Sequence, residues 1–253
     1  AKTAKAGAPA YFSVRDIHAF YGESYIVQGV SFDVAEGDVI ALLGRNGAGK
    51  TSTLRTIARL DQPELRSGEI WLEGKPRHHL KAWQASCAGV QLVPEDRRRQ
   101  GLILPFSVEK NITMAALERL TRYGIVNSAN EKKIAERQIK ALAIKTPNAS
   151  IKVGNLSGGN QQKCIVGRWL ELEPKILILD EPTRGIDVGA KYEIYVLMNK
   201  IVSEGGAIIM ISSELPEVLN ISNRVLTICE GRITGEFTPE TDSAEAIMDR
   251  AIG

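Results

Sequence analysis

The 253-residue sequence has few cysteines, no long apolar segment and little net charge. Its cysteines, Cys87, Cys164 and Cys229, are too scattered for metal-ligand spacing, and such an odd set predicts reduced thiols in a cytosolic protein. The apolar runs reach only about five residues, whereas a helix that crosses a bilayer needs about 20. A net charge of +2 gives no electrostatic reason to expect nucleic acid as a partner. These absences favour a soluble globular protein.

Strand and helix patterns alternate along most of the chain. In VSFDV (30–34) every second residue is apolar, whereas VIALL (39–43) and KILILD (175–180) contain short, continuous apolar runs, which are typical of strands buried on both faces. The segment SGEIWLEGK (67–75) has the pattern of an edge hairpin. These patterns predict an α/β fold with a mostly parallel sheet and an antiparallel β subdomain in the N-terminal part.

Helical patterns dominate between about residues 95 and 165. Ser128, with Glu131 three residues later, predicts a capping box at a helix start. The basic run at 97–99 is interpreted as a solvated loop. We therefore expect a disordered tail at 1–10, a core formed by 11–94 and 166–253, and an inserted α-helical subdomain at 95–165.

The segment GRNGAGKT (44–51) matches the pattern G-x-x-x-x-G-K-[ST] and lies between a predicted buried strand and a predicted helix. Its glycines let backbone N–H groups surround an anion, and the helix start adds the positive end of its dipole. The lysine can reach the β- and γ-phosphates, and the threonine hydroxyl can ligate Mg²⁺. An ordinary glycine-rich turn would not need this lysine and threonine. The pattern predicts a P-loop NTPase (RecA-like) core that binds nucleotide through Gly44, Arg45, Asn46, Gly47, Ala48, Gly49, Lys50, Thr51 and Ser52.

The apolar run ILIL (176–179) ends in two carboxylates, Asp180 and Glu181. Burial of adjacent acids at a strand end is costly unless they face a cation or a polar cleft. We expect Asp180 to hold Mg²⁺, directly or through water, and Glu181 to orient and activate the attacking water. The alternative is a strand end with two solvated acids. The P-loop pattern elsewhere in the chain favours the catalytic interpretation over that alternative.

A third segment, LSGGNQQK (156–163), precedes a helix whose apolar face is formed by residues 165, 166, 169 and 170. It predicts a second anion-binding helix start. One site has little use for two phosphate loops, so the simplest use of Ser157, Gly158 and Gly159 is to cover the γ-phosphate bound by another subunit.

These segments, followed by GIDVGAK (185–191), resemble the ATP-binding subunit of ABC transporters, and the resemblance covers about residues 11–250. The stretch LVPEDRRRQGLI (92–103) and the segments after it resemble the second ATP-binding half of simple-sugar importers. The stretch FYGESYIVQGVSFDV (20–34) is more similar to branched-chain amino-acid importer subunits. The resemblance implies an ATPase that uses ATP and Mg²⁺, docks on membrane permease subunits at the cytoplasmic face of the membrane, and pairs head to tail with a second ATP-binding domain.

The resemblance also implies roles for residues that no pattern in the sequence marks. Tyr21 matches an aromatic residue that stacks on adenine, with a tyrosine in the core as the alternative. Asp187 matches a loop that contacts the partner ATPase domain. Residues 95–130 match the surface that docks on the membrane subunits.

Two positions depart from the family. Glu95 stands where a glutamine usually contacts Mg²⁺ and the attacking water, and an ionised carboxylate cannot donate the hydrogen bonds of an amide. Ser213 stands where a histidine usually contacts the γ-phosphate, and the only histidines, His18, His78 and His79, lie far away in the sequence. Loss of one such contact costs a few kcal/mol of transition-state stabilisation. We therefore expect nucleotide binding with slow turnover, and an unequal pair of sites.

Three alternatives remain besides a sugar importer or a branched-chain amino-acid importer. A soluble, non-transport ATPase with the same paired arrangement usually carries duplicated domains or strongly basic surfaces. A P-loop kinase or GTPase would leave LSGGNQQK unexplained, and no N-K-x-D guanine motif is visible. A regulatory subunit that binds ATP without turnover differs from an ATPase only in its kinetics.

Overall fold

The computed structural model describes residues 10–60 and 63–252, so residues 1–9 of the expected tail lie outside the described residues. The chain divides into two compact units. The first comprises residues up to 92, residues 175–181 and residues from 198 onwards, and the second comprises 93–174 and 182–197. The division expected from the sequence, with an insert at 95–165, stays a prediction. Within the described ranges, no helix has the length and apolar character needed to cross a membrane.

The strands of the described part are, in chain order, β1 (Phe12–Tyr21), β2 (Ser24–Val34), β3 (Val39–Leu43), β4 (Glu64–Leu72), β5 (Lys75–Pro76), β6 (Val90–Val93), β7 (Thr121–Arg122), β8 (Ile125–Val126), β9 (Ile176–Asp180), β10 (Ala207–Ile211), β11 (Arg224–Cys229) and β12 (Arg232–Phe237). The α-helices are α1 (Lys50–Ile57), α2 (Ala82–Cys87), α3 (Val108–Thr113), α4 (Leu117–Leu120), α5 (Ser128–Ala141), α6 (Gly158–Leu170), α7 (Val188–Ser203), α8 (Leu215–Ile221) and α9 (Ala244–Ile252).

The first unit contains an antiparallel sheet with the strand order β2-β1-β4-β5. The predicted alternation in β2 is confirmed, because Val30, Phe32 and Val34 are buried while the residues between them are more exposed. The predicted edge hairpin is confirmed as β4 and β5, although β4 begins at Glu64, before the predicted segment. This sheet is the antiparallel β subdomain expected from the sequence.

A second sheet in this unit has the order β12-β11-β3-β10-β9-β6. Strands β9, β10, β3 and β11 run parallel, and β12 pairs antiparallel with β11. The continuous apolar runs of β3, β9 and β10 are fully buried, as predicted for strands covered on both faces. The register places Ile211 beside Leu42 on one side and beside Asp180 on the other. The residues that follow these strands therefore meet at one edge of the sheet, where open α/β sheets bind their ligands.

The second unit contains α3, α4, α5 and α6 and the hairpin β7–β8. The hairpin was not expected, because its strands have two residues each and show no alternation. Its turn residues, Tyr123 and Gly124, both have positive φ (52° and 78°), which two-residue hairpins with a type I′ turn require. Tyrosine is rare at the first of these positions, so Gly124 is the one turn signal that the two residues carry.

The predicted start of α5 is wrong by one residue. The N-cap is Asn127, whose side chain accepts a hydrogen bond from the backbone N–H of Asn130 at 3.1 Å. Ser128 is the first helical residue, and the Glu131 carboxylate accepts a hydrogen bond from Thr113 instead of closing a capping box. Asparagine and serine are about equally good N-caps, so their order in the sequence could not decide between them.

The solvated-loop interpretation is wrong for Arg97, which is partly buried. Arg98 and Arg99 are exposed as expected, but they lie in a short π-helical turn and not in a loop. Arg97 begins a short π-helical turn and donates hydrogen bonds to the carbonyls of Arg184 (2.8 Å) and Gly185 (3.1 Å). Its guanidinium therefore joins two segments of the second unit that are distant in sequence.

Candidate active site

The loop after β3 has the conformation of an anion nest. Gly47 and Gly49 have φ of 83° and 98°, a left-handed conformation that favours glycine. Gly49 is the N-cap of α1, no side chain caps the first turn, and no acidic residue lies in that turn. The first N–H groups of α1 and its positive dipole end are therefore available to an anion. A Cβ atom on Gly44 would collide with the carbonyl oxygen of Ile228, so the loop also packs too closely for any other residue there.

Lys50 lies across this loop. Its ammonium group donates hydrogen bonds to the carbonyls of Gly44 (2.6 Å) and Arg45 (2.9 Å). Burial lowers the pKa of Lys50, while the nearby Glu181 and Asp180 raise it. Burial is the larger effect, so the pKa of Lys50 is lowered overall, and the ammonium group lies near both predicted acids.

Asp180 and Thr51, which are distant in sequence, lie together as predicted. The Thr51 hydroxyl donates a hydrogen bond to Oδ1 of Asp180 at 3.3 Å. Asp180 is 4% exposed, and burial is the main cause that raises its pKa to about 6, with the Thr51 hydrogen bond and Lys50 opposing it. A buried carboxylate beside a threonine hydroxyl and an anion nest suits Mg²⁺, which proteins usually bind through one or two carboxylates together with substrate phosphates. The donor set therefore fits a magnesium–triphosphate.

Glu181 follows directly and adopts φ of 49°, which an L-residue rarely does. Its N–H donates to the carbonyl of Ile211 at 3.0 Å. Its Oε2 accepts two hydrogen bonds from Ser213, one from the backbone N–H at 3.1 Å and one from Oγ at 3.0 Å. The structure therefore brings Glu181, the predicted base, into direct contact with Ser213, the serine that stands where the family usually has a histidine.

A cavity of about 460 Å³ opens at this edge of the sheet. Four residues of the predicted loop line it, namely Gly44, Arg45, Asn46 and Lys50, together with Ser213 and with Leu43 at the end of β3. The other lining residues were missed from the sequence, and they are Leu215, Met248, Ala251 and Ile252. The missed residues belong to α8 and α9, about 165 to 200 residues after the loop in sequence. No motif marks them, because they are ordinary apolar side chains of amphipathic helices.

Tyr21 ends β1 and is 39% exposed, which excludes the alternative of a tyrosine packed in the core. Gly22, with φ of 57°, follows it in the turn to β2. The neighbouring rings of Phe20 and Tyr25 stack at 4.6 Å, and the Arg66 guanidinium lies over Phe20. Tyr21 is therefore a surface aromatic next in sequence to a stacked aromatic pair, and adenine stacking stays a prediction.

In the second unit, Ser157 is the N-cap position of α6 and its Oγ accepts a hydrogen bond from the Asn160 amide at 2.8 Å. No side chain caps the first turn, so the start of α6 also offers N–H groups to an anion. A Cβ atom on Gly159 would collide with the side chain of Ala190, and one on Gly158 would lie 2.7 Å from the Arg97 guanidinium. Packing therefore requires glycine at position 159, whereas a side chain at position 158 would have to displace the end of the Arg97 side chain.

The other two predicted residues of this unit have partners within it. Glu95 forms an ion pair with Arg184. The Asp187 carboxylate accepts a hydrogen bond from the N–H of Ala190 at 2.9 Å, as an N-cap of α7 does. Both carboxylates thus have a structural role, and their predicted roles in metal binding and partner contact stay predictions.

A family model described as ABC transporter matches residues 27–184. The chain belongs to this family. Among curated relatives of this ABC transporter chain, the xylose import ATP-binding protein XylG of Moorella thermoacetica is 51% identical over 90% of the chain and 45% of the relative. The ribose import ATP-binding protein RbsA of Oceanobacillus iheyensis is 46% identical over 88% of the chain and 45% of the relative. The chain spans about half the length of these relatives.

Solved structures share the fold of this ABC transporter chain. A nucleotide-free ATP-binding cassette from an ABC transporter has a TM-score of 0.78 at 20% identity and covers 97% of the chain and 100% of that structure. A dimeric, post-hydrolysis ATP-binding cassette bound to ADP and phosphate has a TM-score of 0.77 at 20% identity, and covers 90% of the chain and 98% of that structure. The predicted fold class is confirmed, with its parallel-dominated sheet and antiparallel N-terminal sheet.

Proposed function

We propose that this chain binds Mg–ATP and hydrolyses it to drive an ABC importer of simple sugars. The observation that carries the proposal is the meeting of Thr51, Asp180 and Lys50 around one anion nest, with Glu181 beside them. The xylose and ribose import names of the relatives support a sugar as the solute. Nothing in these names favours the branched-chain amino-acid importer that residues 20–34 suggested.

Each residue has a defined task in this proposal. Backbone N–H groups of the loop and the start of α1 bind the phosphates, and Lys50 exchanges its carbonyl partners for phosphate oxygens. Thr51 and Asp180 hold Mg²⁺, which neutralises charge on the β- and γ-phosphates when it is bound. Glu181 orients a water molecule and accepts its proton. Glu95 would have to leave Arg184 before it could contact the metal.

The site is completed by a second ATP-binding domain, either an identical chain or a separate one. In this arrangement the start of α6 (Ser157, Gly158 and Gly159) covers the nucleotide of the partner, and Asp187 contacts the partner beside it. Because Ser213 cannot supply an imidazole to the γ-phosphate, we assign the chain to an unequal pair with slower turnover at its own site. ATP closes the pair and hydrolysis reopens it, since the nucleotide contacts both domains only in the closed form.

The partners proposed on the membrane side are permease subunits, and the chain then works at the cytoplasmic face of the membrane. The stretch 95–130 that matches the docking surface exposes several large apolar side chains, which are Ile103, Phe106, Leu117, Tyr123 and Ile125. Exposed apolar groups of this kind are common where a protein meets a partner.

The proposal is tested by nucleotide binding. Lys50→Ala removes the ammonium group from the loop, and we expect the Kd for Mg–ATP to rise at least about 30-fold, because hydrogen bonds between charged groups are among the strongest. Isothermal titration calorimetry measures this Kd, with Lys140→Ala on the exposed face of α5 as the matched control. An unchanged Kd for Lys50→Ala would assign the loop to another purpose.

Transport is tested separately. We expect proteoliposomes that contain the chain and its permease to accumulate xylose or ribose. Accumulation should require ATP on the side of the membrane to which the chain is bound. Uptake of neither sugar, with uptake of a branched-chain amino acid instead, would overturn the assignment of the solute.

A further inference from the structure

The two serines that end β10 have different partners. Ser212 is 1% exposed, its hydroxyl contacts the Glu217 carboxylate, and its Oγ accepts a hydrogen bond from the N–H of Glu214 at 3.0 Å. Ser213 is exposed, and both its N–H and its Oγ donate to Oε2 of Glu181. Only Ser213 is therefore directed at the proposed reaction site.

The backbone explains why Ser213 and Glu181 meet. Strands β9 and β10 are parallel neighbours, with Asp180 paired to Ile211. Glu181 turns the chain away from β9 with its positive φ, and its N–H still donates to the carbonyl of Ile211. The carboxylate is thus tied to the end of β10 at its backbone and at its side chain.

Two donors on one oxygen anchor Oε2 and restrain the rotation of the Glu181 carboxylate. The lone pairs of its other oxygen, Oε1, then point in a restricted range of directions, and a base that orients water depends on such preorganisation. Serine supplies both donors from one residue, because its short side chain keeps Oγ close to its own N–H.

We propose that Ser213 is a positioning residue for Glu181, and that its hydroxyl is used on this carboxylate rather than on the γ-phosphate. The inference rests on the proposed function, since it concerns the same site. It assigns to the serine a role of its own, in addition to the loss of the imidazole contact.

The kinetic test compares Ser213→Ala with Ser213→Thr in single-turnover hydrolysis, with the assembled complex of the chain, its partner ATP-binding domain and the permease in excess over Mg–ATP. Alanine removes the hydroxyl donor, and we expect the rate to fall about tenfold while the Kd for ATP stays within about twofold. Threonine keeps the donor and should retain the rate within about threefold. Ser203→Ala, an exposed serine at the end of α7, is the matched control and should leave the rate unchanged.

A second comparison identifies Glu181 as the group through which the serine acts. In a Glu181→Gln background, which is already slow, Ser213→Ala should cause no further loss, because the residue that it positions is no longer a carboxylate. The same tenfold loss in both backgrounds, or a loss confined to the Kd for ATP, would overturn the proposal. The latter result would indicate a direct phosphate contact.

A spectroscopic test does not depend on turnover. In ¹⁵N-serine-labelled protein, the amide proton of Ser213 is identified by its disappearance in Ser213→Ala. It should move upfield in Glu181→Ala, where its acceptor is lost, while the Ser203 resonance stays in place. An unmoved Ser213 resonance would overturn the contact.

Different results would reject the proposed function and the positioning role. Unchanged ATP affinity in Lys50→Ala rejects the proposed function, whatever the Ser213 resonance does. Normal binding and hydrolysis, with an unaffected Ser213→Ala rate, reject only the positioning role.

Discussion

Replacement of Asp180 by asparagine should make the protein more stable at neutral pH in the absence of metal and nucleotide. Asp180 is 4% exposed at the end of β9, and its pKa is raised from 3.8 to about 6. Burial is the largest cause, Glu181 adds to it, and the Thr51 hydrogen bond and the positive charge of Lys50 only partly oppose it. The ionised carboxylate is therefore a local destabilising element of the folded chain.

The sign of the pH dependence follows from this direction. Since the folded state holds the proton more tightly than the unfolded state, the stabilisation from protonated Asp180 is fully present below pH 4 and is lost as the pH rises through about 6. Each pKa unit corresponds to about 1.4 kcal/mol, so the change from 3.8 to about 6 corresponds to about 3 kcal/mol in total. Roughly half of it, about 1.4 kcal/mol, is lost between about pH 5 and pH 8.

Urea unfolding, followed by tryptophan fluorescence in EDTA, measures the free energy of unfolding of wild type and Asp180→Asn at several pH values between about 5 and 8. Because asparagine does not titrate, the wild-type value minus the variant value should fall by about 1.4 kcal/mol over this range. Asp249→Asn, an exposed aspartate of α9, controls for the removal of one charge. A difference that stays constant or grows with pH would refute the argument that burial dominates the environment of Asp180.

Two further predictions concern the second unit. Asn127→Ala should lower the free energy of unfolding by about 1 kcal/mol, and Ser128→Ala should change it little, because only Asn127 caps α5. Urea denaturation measures both values. Equal losses in the two variants would contradict the cap. Asn111→Ala should cost about 3 kcal/mol in the same assay, because the lost amide bonds Ile103 twice and accepts a hydrogen bond from the buried Arg168. The Nε of Arg168 keeps its acceptor, the backbone carbonyl of residue 111. A loss under about 1 kcal/mol would mean that water replaces the amide.

The P-loop and the acids could be predicted because their residue types follow from local requirements. Gly47 and Gly49 adopt positive φ, and Lys50 starts a helix directly after a buried strand, so each condition is visible in a few consecutive residues. The sequence assigned Thr51 and Asp180 to the same Mg²⁺, because each residue type suits a metal beside a P-loop. The structure brings them together because parallel strands end at one edge of the sheet.

The rest depended on contacts between distant residues that no pattern encodes. Arg97 is one of three consecutive arginines, yet only this one reaches the carbonyls of Arg184 and Gly185. The sequence showed that position 213 holds a serine in place of the usual histidine. It did not show that the hydroxyl and N–H of this serine bind Glu181. In each case the decisive quantity is the direction of a side chain across a gap of 30 to 90 residues, which depends on the packing of the whole unit.

The features that favour function in this site are the ones that disfavour folding. Asp180 is buried as a potential charge, Glu181 adopts a positive φ, and Gly44 lies against a carbonyl with no room for a side chain. The apolar strands β3, β9 and β10 offset this cost, because they are buried along their whole length and hold the site's edge in register. Binding of Mg²⁺ with a triphosphate would place a positive charge beside the buried Asp180 carboxylate. The acid that lowers the stability of this edge in the free protein is therefore also the group that would bind the metal. A variant such as Asp180→Asn should therefore gain stability and lose Mg²⁺-dependent affinity together, and a variant that gained stability while it kept that affinity would separate the two.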